Sequence, residues 1–235
     1  MKKFKIDNTE LPAVWLGTSI FAGAGGFGEK AAEYHSRFYD NPESMIELME
    51  NAAKLDWGVE ALAMGNIIKA IDKLRDGLPK VHVAYTCGIQ DFVTEVNSAL
   101  KRQPDIVFIH PRVTDTATED EMKMYFRRIV EEWVLPAAGT RDPLKTAAKL
   151  EDMGCKALLV PADRRGAELE HEIQTVQKYG MKYIAEVQPI GEARDIAGGV
   201  HAAVRAGADA LAIGVTDARE MLVYGSALER MGFLE

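Results

Sequence analysis

Short runs that are apolar at nearly every position alternate with longer stretches whose apolar residues recur at three- and four-residue spacing. Uniformly apolar runs suit parallel strands covered on both faces, and the three/four spacing marks one face of a helix. The predicted strands are Ala13–Ile20, Val59–Met64, Lys80–Thr86, Asp105–His110, Trp133–Ala138, Cys155–Pro161, Met181–Gln188 and Ala210–Val215. The fifth contains Pro136, which donates no ladder hydrogen bond and is awkward in a central strand.

The stretches between them predict helices. The first opens with Asn41 as N-cap and Pro42 at the first helical position, then places Met45, Leu48, Met49 and Ala52 on one face. The second carries Ile67, Ile68, Ile71 and Leu74, and the third Phe92, Val93, Val96 and Leu100. The fourth runs from about 118 to 132, and the fifth from Asp142 and Pro143 to a terminating Gly154. The sixth carries Leu169, Ile173 and Val176. The seventh carries Ala193, Ile196, Val200 and Ala203, and Asp217 with Glu220 opens the eighth in capping-box spacing.

Eight strand–helix units with no linker fill the 235 residues. This pattern and length predict the α/β class and a single (β/α)8 TIM barrel, residues 1–235 forming one domain. Without the fifth strand an open doubly wound sheet would be the alternative. No GxGxxG joins the first strand to a helix, which argues against a dinucleotide-binding fold. Gly23, Gly25, Gly26 and Gly28 lie instead in a loop of about twenty residues, near 21–41. A long glycine- and aromatic-rich loop suits a lid or binding loop; an ordered excursion with a short helix at 30–38, packed on the barrel or on a second subunit, is the structural alternative.

Charge narrows the partners. Net charge is −8 and the pI about 5.3, against a nucleic-acid backbone or an anionic membrane surface. Neither an apolar leader nor a run long enough to cross a bilayer is present, so a cytoplasmic location is expected. Cys87 and Cys155 lack metal or redox spacing and read as reduced core thiols. Homo-oligomers are common among such barrels.

The active site of a (β/α)8 barrel is built at and just after the C-terminal strand ends. Glu186 stands in the apolar run Tyr183-Ile-Ala-Glu186-Val, where desolvation suits a general acid or base; structural pairing with Arg141 or Arg164 is the alternative. His110 ends the fourth strand and could act as base, electrophile or metal ligand, or simply bond loop backbone. Asp163 follows the sixth strand as a further catalytic candidate. Arg112, Arg141 and Arg164 follow three successive strands, with forks suited to a carboxylate or phosphate, or to loop ion pairs. Ser19, Asn66 and Gln188 complete the candidate substrate contacts. No lysine lies in the C-terminal half of a strand, so a Schiff-base mechanism is not expected. A divalent metal on His110, Asp163 and Glu186 is an option that no spacing motif signals.

The segment Ala206-Gly-Ala-Asp209-Ala-Leu-Ala-Ile-Gly214 resembles the last turn and strand of phosphate-binding aldolase-type barrels. That resemblance implies phosphate contacts at Gly214, Val215 and Thr216. The family's Gly-Gly turn after the seventh strand is absent; Gln188-Pro-Ile-Gly191 stands there, and Gly198-Gly199 comes later. Leu16-Gly-Thr-Ser19 and Asp105-Ile-Val-Phe-Ile-His110-Pro resemble aldo-keto reductases, without that family's tyrosine and strand-borne lysine. The resulting expectation is a lyase or isomerase that acts by proton transfer or C–C or C–O bond lysis on a small anionic, oxygen-rich metabolite, a phosphorylated one included. The alternatives are an oxidoreductase using a nicotinamide or deazaflavin and a barrel that binds a ligand without catalysis.

Overall fold

Eight parallel strands close on one another in chain order. They are β3 (Val14–Gly17), β4 (Gly58–Leu62), β5 (Val83–Cys87), β6 (Ile106–Ile109), β7 (Leu135–Gly139), β8 (Ala157–Pro161), β9 (Lys182–Val187) and β10 (Ala210–Ile213), and β10 pairs with β3 through Ala212↔Trp15. The computed structural model describes residues 2–23, 25–189 and 196–234. The architecture is a single (β/α)8 TIM barrel. Almost every strand residue is buried, as their uniform apolarity requires.

Pro136 fits β7 for a specific reason. The pairing of β7 with β8 begins only at Ala138↔Leu158, above the proline, so its missing N–H leaves no ladder bond unmade. Its carbonyl still accepts from Lys156 N–H at 2.9 Å. Trp133, predicted to begin this strand, is instead 97% exposed, with a positive φ of 61° just beyond the preceding helix.

The helices are α1 (Ala31–Tyr34), α2 (Pro42–Lys54), α3 (Gly65–Gly77), α4 (Phe92–Leu100), α5 (Pro111–Thr114), α6 (Glu119–Val130), α7 (Pro143–Asp152), α8 (Gly166–Lys178), α9 (Ile196–Ala206) and α10 (Ala218–Arg230). Among the described residues no helix is long and apolar enough to cross a membrane. Ala193, expected in the seventh helix, and Gly191 lie outside the described residues. Asn41 and Asp142 stand at N-caps without a capping side-chain bond: Asn41 donates to Ser44, and Asp142 pairs with Lys145 at 2.5 Å.

An antiparallel hairpin, β1 (Lys3–Ile6) and β2 (Thr9–Pro12), precedes the barrel where the sequence pattern predicted no strand. Phe4, Ile6 and Leu11 are buried, so the hairpin borders the N-terminal end of the barrel. Inside, the Trp15 ring occupies the space that a side chain at Gly58 would need. The loop after β3 is an ordered excursion: a 3-10 turn over Gly25–Lys30, α1, then a π turn over His35–Tyr39.

Candidate active site

Inward-facing residues near the C-terminal strand ends enclose a cavity of about 570 Å³, within the usual range for small-ligand sites. β4 contributes Glu60 and Leu62, β5 Thr86, and β9 Glu186. Ser19 follows β3, His110 follows β6, Arg141 follows β7, and Asp163 and Arg165 follow β8. Gly26 and Phe27 of the first loop also line the cavity. A second cavity of about 540 Å³ lies at the opposite end, between the hairpin and Trp57.

Two glutamates set the electrostatics. Glu60 is 2% exposed, and its Oε1 accepts from the Thr86 hydroxyl at 2.5 Å. Among the described residues its Oε2 has no hydrogen-bond partner. Burial, and next the charge of Glu186, push the Glu60 carboxyl up to about 8; the Thr86 hydroxyl and the Thr18 backbone offset this in part. Glu60 therefore carries a proton at neutral pH, and the unpartnered Oε2 is the atom left to hold it.

Glu186 is raised too, chiefly by burial, but is better provided with donors. Ser19 Oγ donates to its Oε1 at 3.1 Å and Gln188 Nε2 at 3.3 Å, and Arg141 adds a favourable charge. These donors favour the carboxylate and offset part of the effect of burial.

His110 is the N-cap of α5, and its Nδ1 accepts from the Arg112 N–H at 3.2 Å. Burial, with Arg141 and Arg112 nearby, lowers its pKa against the opposing pull of Glu95 and Asp115. A neutral imidazole with Nδ1 as acceptor must carry its proton on Nε2. His110 thus offers the cavity a neutral donor. Glu95 stiffens the neighbouring turn, its carboxylate accepting from the amides of Gly88, Ile89, Gln90 and Asp91 at 2.6–3.2 Å.

The candidates divide. Glu186, His110, Asp163, Arg141, Ser19 and Gln188 line the cavity. Asp163 is exposed at its rim, whereas Glu60 is buried and Glu186 half-buried. Four expectations need correction. Arg112 is exposed outside the cavity and donates to the Ile89 carbonyl at 3.4 Å. Arg164 turns behind the strands to Glu172, which is fully buried and also accepts from Tyr183 Oη at 2.5 Å. Asn66 Nδ2 donates to the Tyr39 carbonyl at 2.9 Å and so anchors the first loop. The turn after β10 is already filled: the Thr216 amide and hydroxyl both donate to Glu220 Oε2, at 2.6 and 2.9 Å.

Beside that turn Val215 is fully buried, and the Gln188 side chain occupies the space over Gly214 and Gly17. Two of the donors expected to meet a phosphate are therefore used within the chain: the Gly214 amide by the Val187 carbonyl at 2.9 Å and the Thr216 amide by Glu220. Among the described residues no three of His, Cys, Asp and Glu gather to hold a metal, and His110, Asp163 and Glu186 form no such group. Burial raises both thiols, Cys155 to about 12, so neither is a ready nucleophile.

Glu60, Thr86 and Arg165 were not among the sequence candidates. Glu60 carried the same signal as Glu186, a carboxylate inside an apolar strand, in Val59-Glu60-Ala61-Leu62. Arg165 follows Arg164 directly, and only tertiary structure separates the one that lines the cavity from the one that braces the wall.

No protein-family model matches the chain, and no curated relative matches its sequence. Solved structures match its fold. A candidate aldo-keto reductase of Pseudomonas aeruginosa superposes with a TM-score of 0.71 at 12% identity, covering 97% of this chain and 95% of that one. The phospho-2-dehydro-3-deoxyheptonate aldolase of Thermotoga maritima gives 0.66 at 9% identity, over 98% of this chain and 73% of the aldolase. The carboxyl transferase domain of Rhizobium etli pyruvate carboxylase gives 0.66 at 14%, over 97% and 48%. The barrel is thus similar to both groups that its sequence resembles, and at such identities the likeness is one of fold.

Proposed function

We propose that this chain is an enzyme that removes a proton from the carbon beside a carbonyl in a small anionic metabolite, and so acts as an isomerase or lyase. The observation that carries this reading is the placement of Glu60 and Glu186 in one cavity, the first protonated and the second supplied with donors.

The Glu186 carboxylate takes the carbon-bound proton, and the electron pair moves toward the carbonyl oxygen. The Glu60 O–H and His110 Nε2–H are neutral donors suited to the developing oxyanion. Returning the proton to a neighbouring carbon completes an isomerisation; expelling a leaving group from the next carbon completes a lysis. Phe27 is buried among the lining residues and Glu60 is shielded from bulk water, which strengthens its interaction with the oxyanion.

The direct test is exchange in deuterium oxide, followed by proton NMR, with pyruvate, 2-oxobutanoate, 4-oxopentanoate and dihydroxyacetone phosphate as probes. The expected result is protein-dependent loss of the signal beside the carbonyl for at least one probe. Glu186→Gln should slow it by at least about 100-fold, the scale of general-base assistance. No exchange with any probe would overturn the reading.

The fold likeness to aldo-keto reductases and the place of His110 after β6 favour a second reading, carbonyl reduction with a nicotinamide. Against it, the described cavity lining contains neither lysine nor tyrosine. Thermal stabilisation by a nicotinamide alone would favour that reading. Substitutions of Glu60 and Glu186 that altered only stability would favour a binding protein.

A further inference from the structure

The cavity is asymmetric in charge around its rim. Arg141 and Arg165 both line it, on the β7 and β8 side, and both are exposed there. Among the described residues neither guanidinium makes an ion pair. Arg165 Nη1 is held in place by the Ala162 and Arg164 carbonyls, at 2.5 and 2.7 Å. Among the described lining residues on this side, two exposed guanidinium groups accompany one exposed carboxylate, that of Asp163.

The turn after β10 has the opposite character. Glu220 uses the amide and hydroxyl of Thr216, and the Gln188 amide lies over Gly214. An anion placed there would meet a carboxylate already on the donors. The Thr216 carbonyl is also taken, by Arg37 Nη2 of the first loop at 2.8 Å.

We infer that the anionic group of the substrate is held between Arg141 and Arg165, at the β7–β8 rim, and that the turn after β10 is closed to it by Glu220. The inference rests on the proposed use of this cavity for a carbonyl substrate and adds the substrate's orientation. Its carbonyl lies inward, toward Glu60, Glu186 and His110; its charged end lies outward. The substrate class is a short ketone or aldehyde bearing a carboxylate or phosphate at one end. An anion on Arg141 would also screen that guanidinium from Glu186, making the base stronger once substrate is seated.

The test is calorimetric titration of three probes at pH 7: 4-oxopentanoate, dihydroxyacetone phosphate and the neutral pentan-2-one. Each is added to the intact protein and to Arg141→Gln, Arg165→Gln and Glu220→Gln, with thermal melts to verify folding. At least one anionic probe should bind about tenfold or more tightly than pentan-2-one, as expected for charge-assisted hydrogen bonds. Which of the two does so identifies the anion as carboxylate or phosphate. Each arginine substitution should weaken it about tenfold, and Glu220→Gln should change it by less than about twofold.

Absence of any preference for the anions overturns the inference. So does a preference that survives both arginine substitutions, or a tenfold change in Glu220→Gln. Binding that follows the arginines without exchange in deuterium oxide leaves this orientation standing and removes the proton-transfer reading. Exchange that survives both arginine substitutions does the reverse.

Discussion

The carboxyl of Glu60 lies close enough to that of Glu186 for the charge of one to oppose ionisation of the other. They come from β4 and β9, well separated in the chain, and only closure of the barrel makes them neighbours. Burial and this repulsion together keep Glu60 protonated through neutral pH, where an exposed glutamate would be ionised.

That arrangement has a signed consequence for stability. The folded pKa of Glu60 is raised to about 8, above its unfolded value, so the folded state binds the proton more tightly. The stability it contributes is present below the unfolded value, near 4.3, and is lost as pH rises through 8. Glu60→Gln removes the titration and keeps an acceptor for Thr86. Its melting temperature relative to the parent protein should therefore rise between pH 5 and pH 8.5. A gap that stays constant over that interval would remove the elevated carboxyl.

The fold was legible because each strand is uniformly apolar and each intervening stretch has helical spacing. The hairpin over residues 3–12 was not: four-residue strands offer too little alternation, and their burial depends on the barrel end they cover. The site was legible in part. Glu186, His110, Ser19, Gln188, Asp163 and Arg141 could be placed because strand ends converge on one mouth. Arg112, Arg164 and Asn66 stand just past strands too, yet their side chains turn to loop or wall partners. Glycine and apolar spacing near β10 resembled a phosphate turn, while its donors were claimed by Glu220, a residue read only as a helix cap.

Arg164 offers a test of that distinction. Its side chain is 27% exposed, and its partner Glu172 is fully buried between α8 and β9, where Tyr183 also donates to it. Removing the guanidinium leaves a buried carboxylate with its charge unpaired. Arg164→Ala should cost about 3 kcal/mol, at the lower end for breaking a buried pair because one partner is partly solvated. Urea unfolding reads this directly. The same variant should leave affinity for the anionic probes within about twofold, whereas Arg165→Gln, one residue away, should do the opposite. A tenfold loss of affinity in folded Arg164→Ala would return this residue to the substrate site.

The interior below the cavity constrains one further position. Trp15 of β3 and Gly58 of β4 are register partners, and a Cβ at Gly58 would collide with several atoms of the Trp15 ring. The ring is 2% exposed and cannot swing into solvent, so the strands or the indole must shift. Gly58→Ala should destabilise the protein by roughly 2 kcal/mol, the scale of overpacking in a close-packed core. A side chain small enough to admit the methyl group should restore most of this, so Trp15→Phe is expected to cost less in the Gly58→Ala background than in the parent. A double-mutant cycle measured by urea unfolding gives the coupling energy. Strictly additive costs would mean that the two residues do not share the space, and that Gly58 is small for another reason.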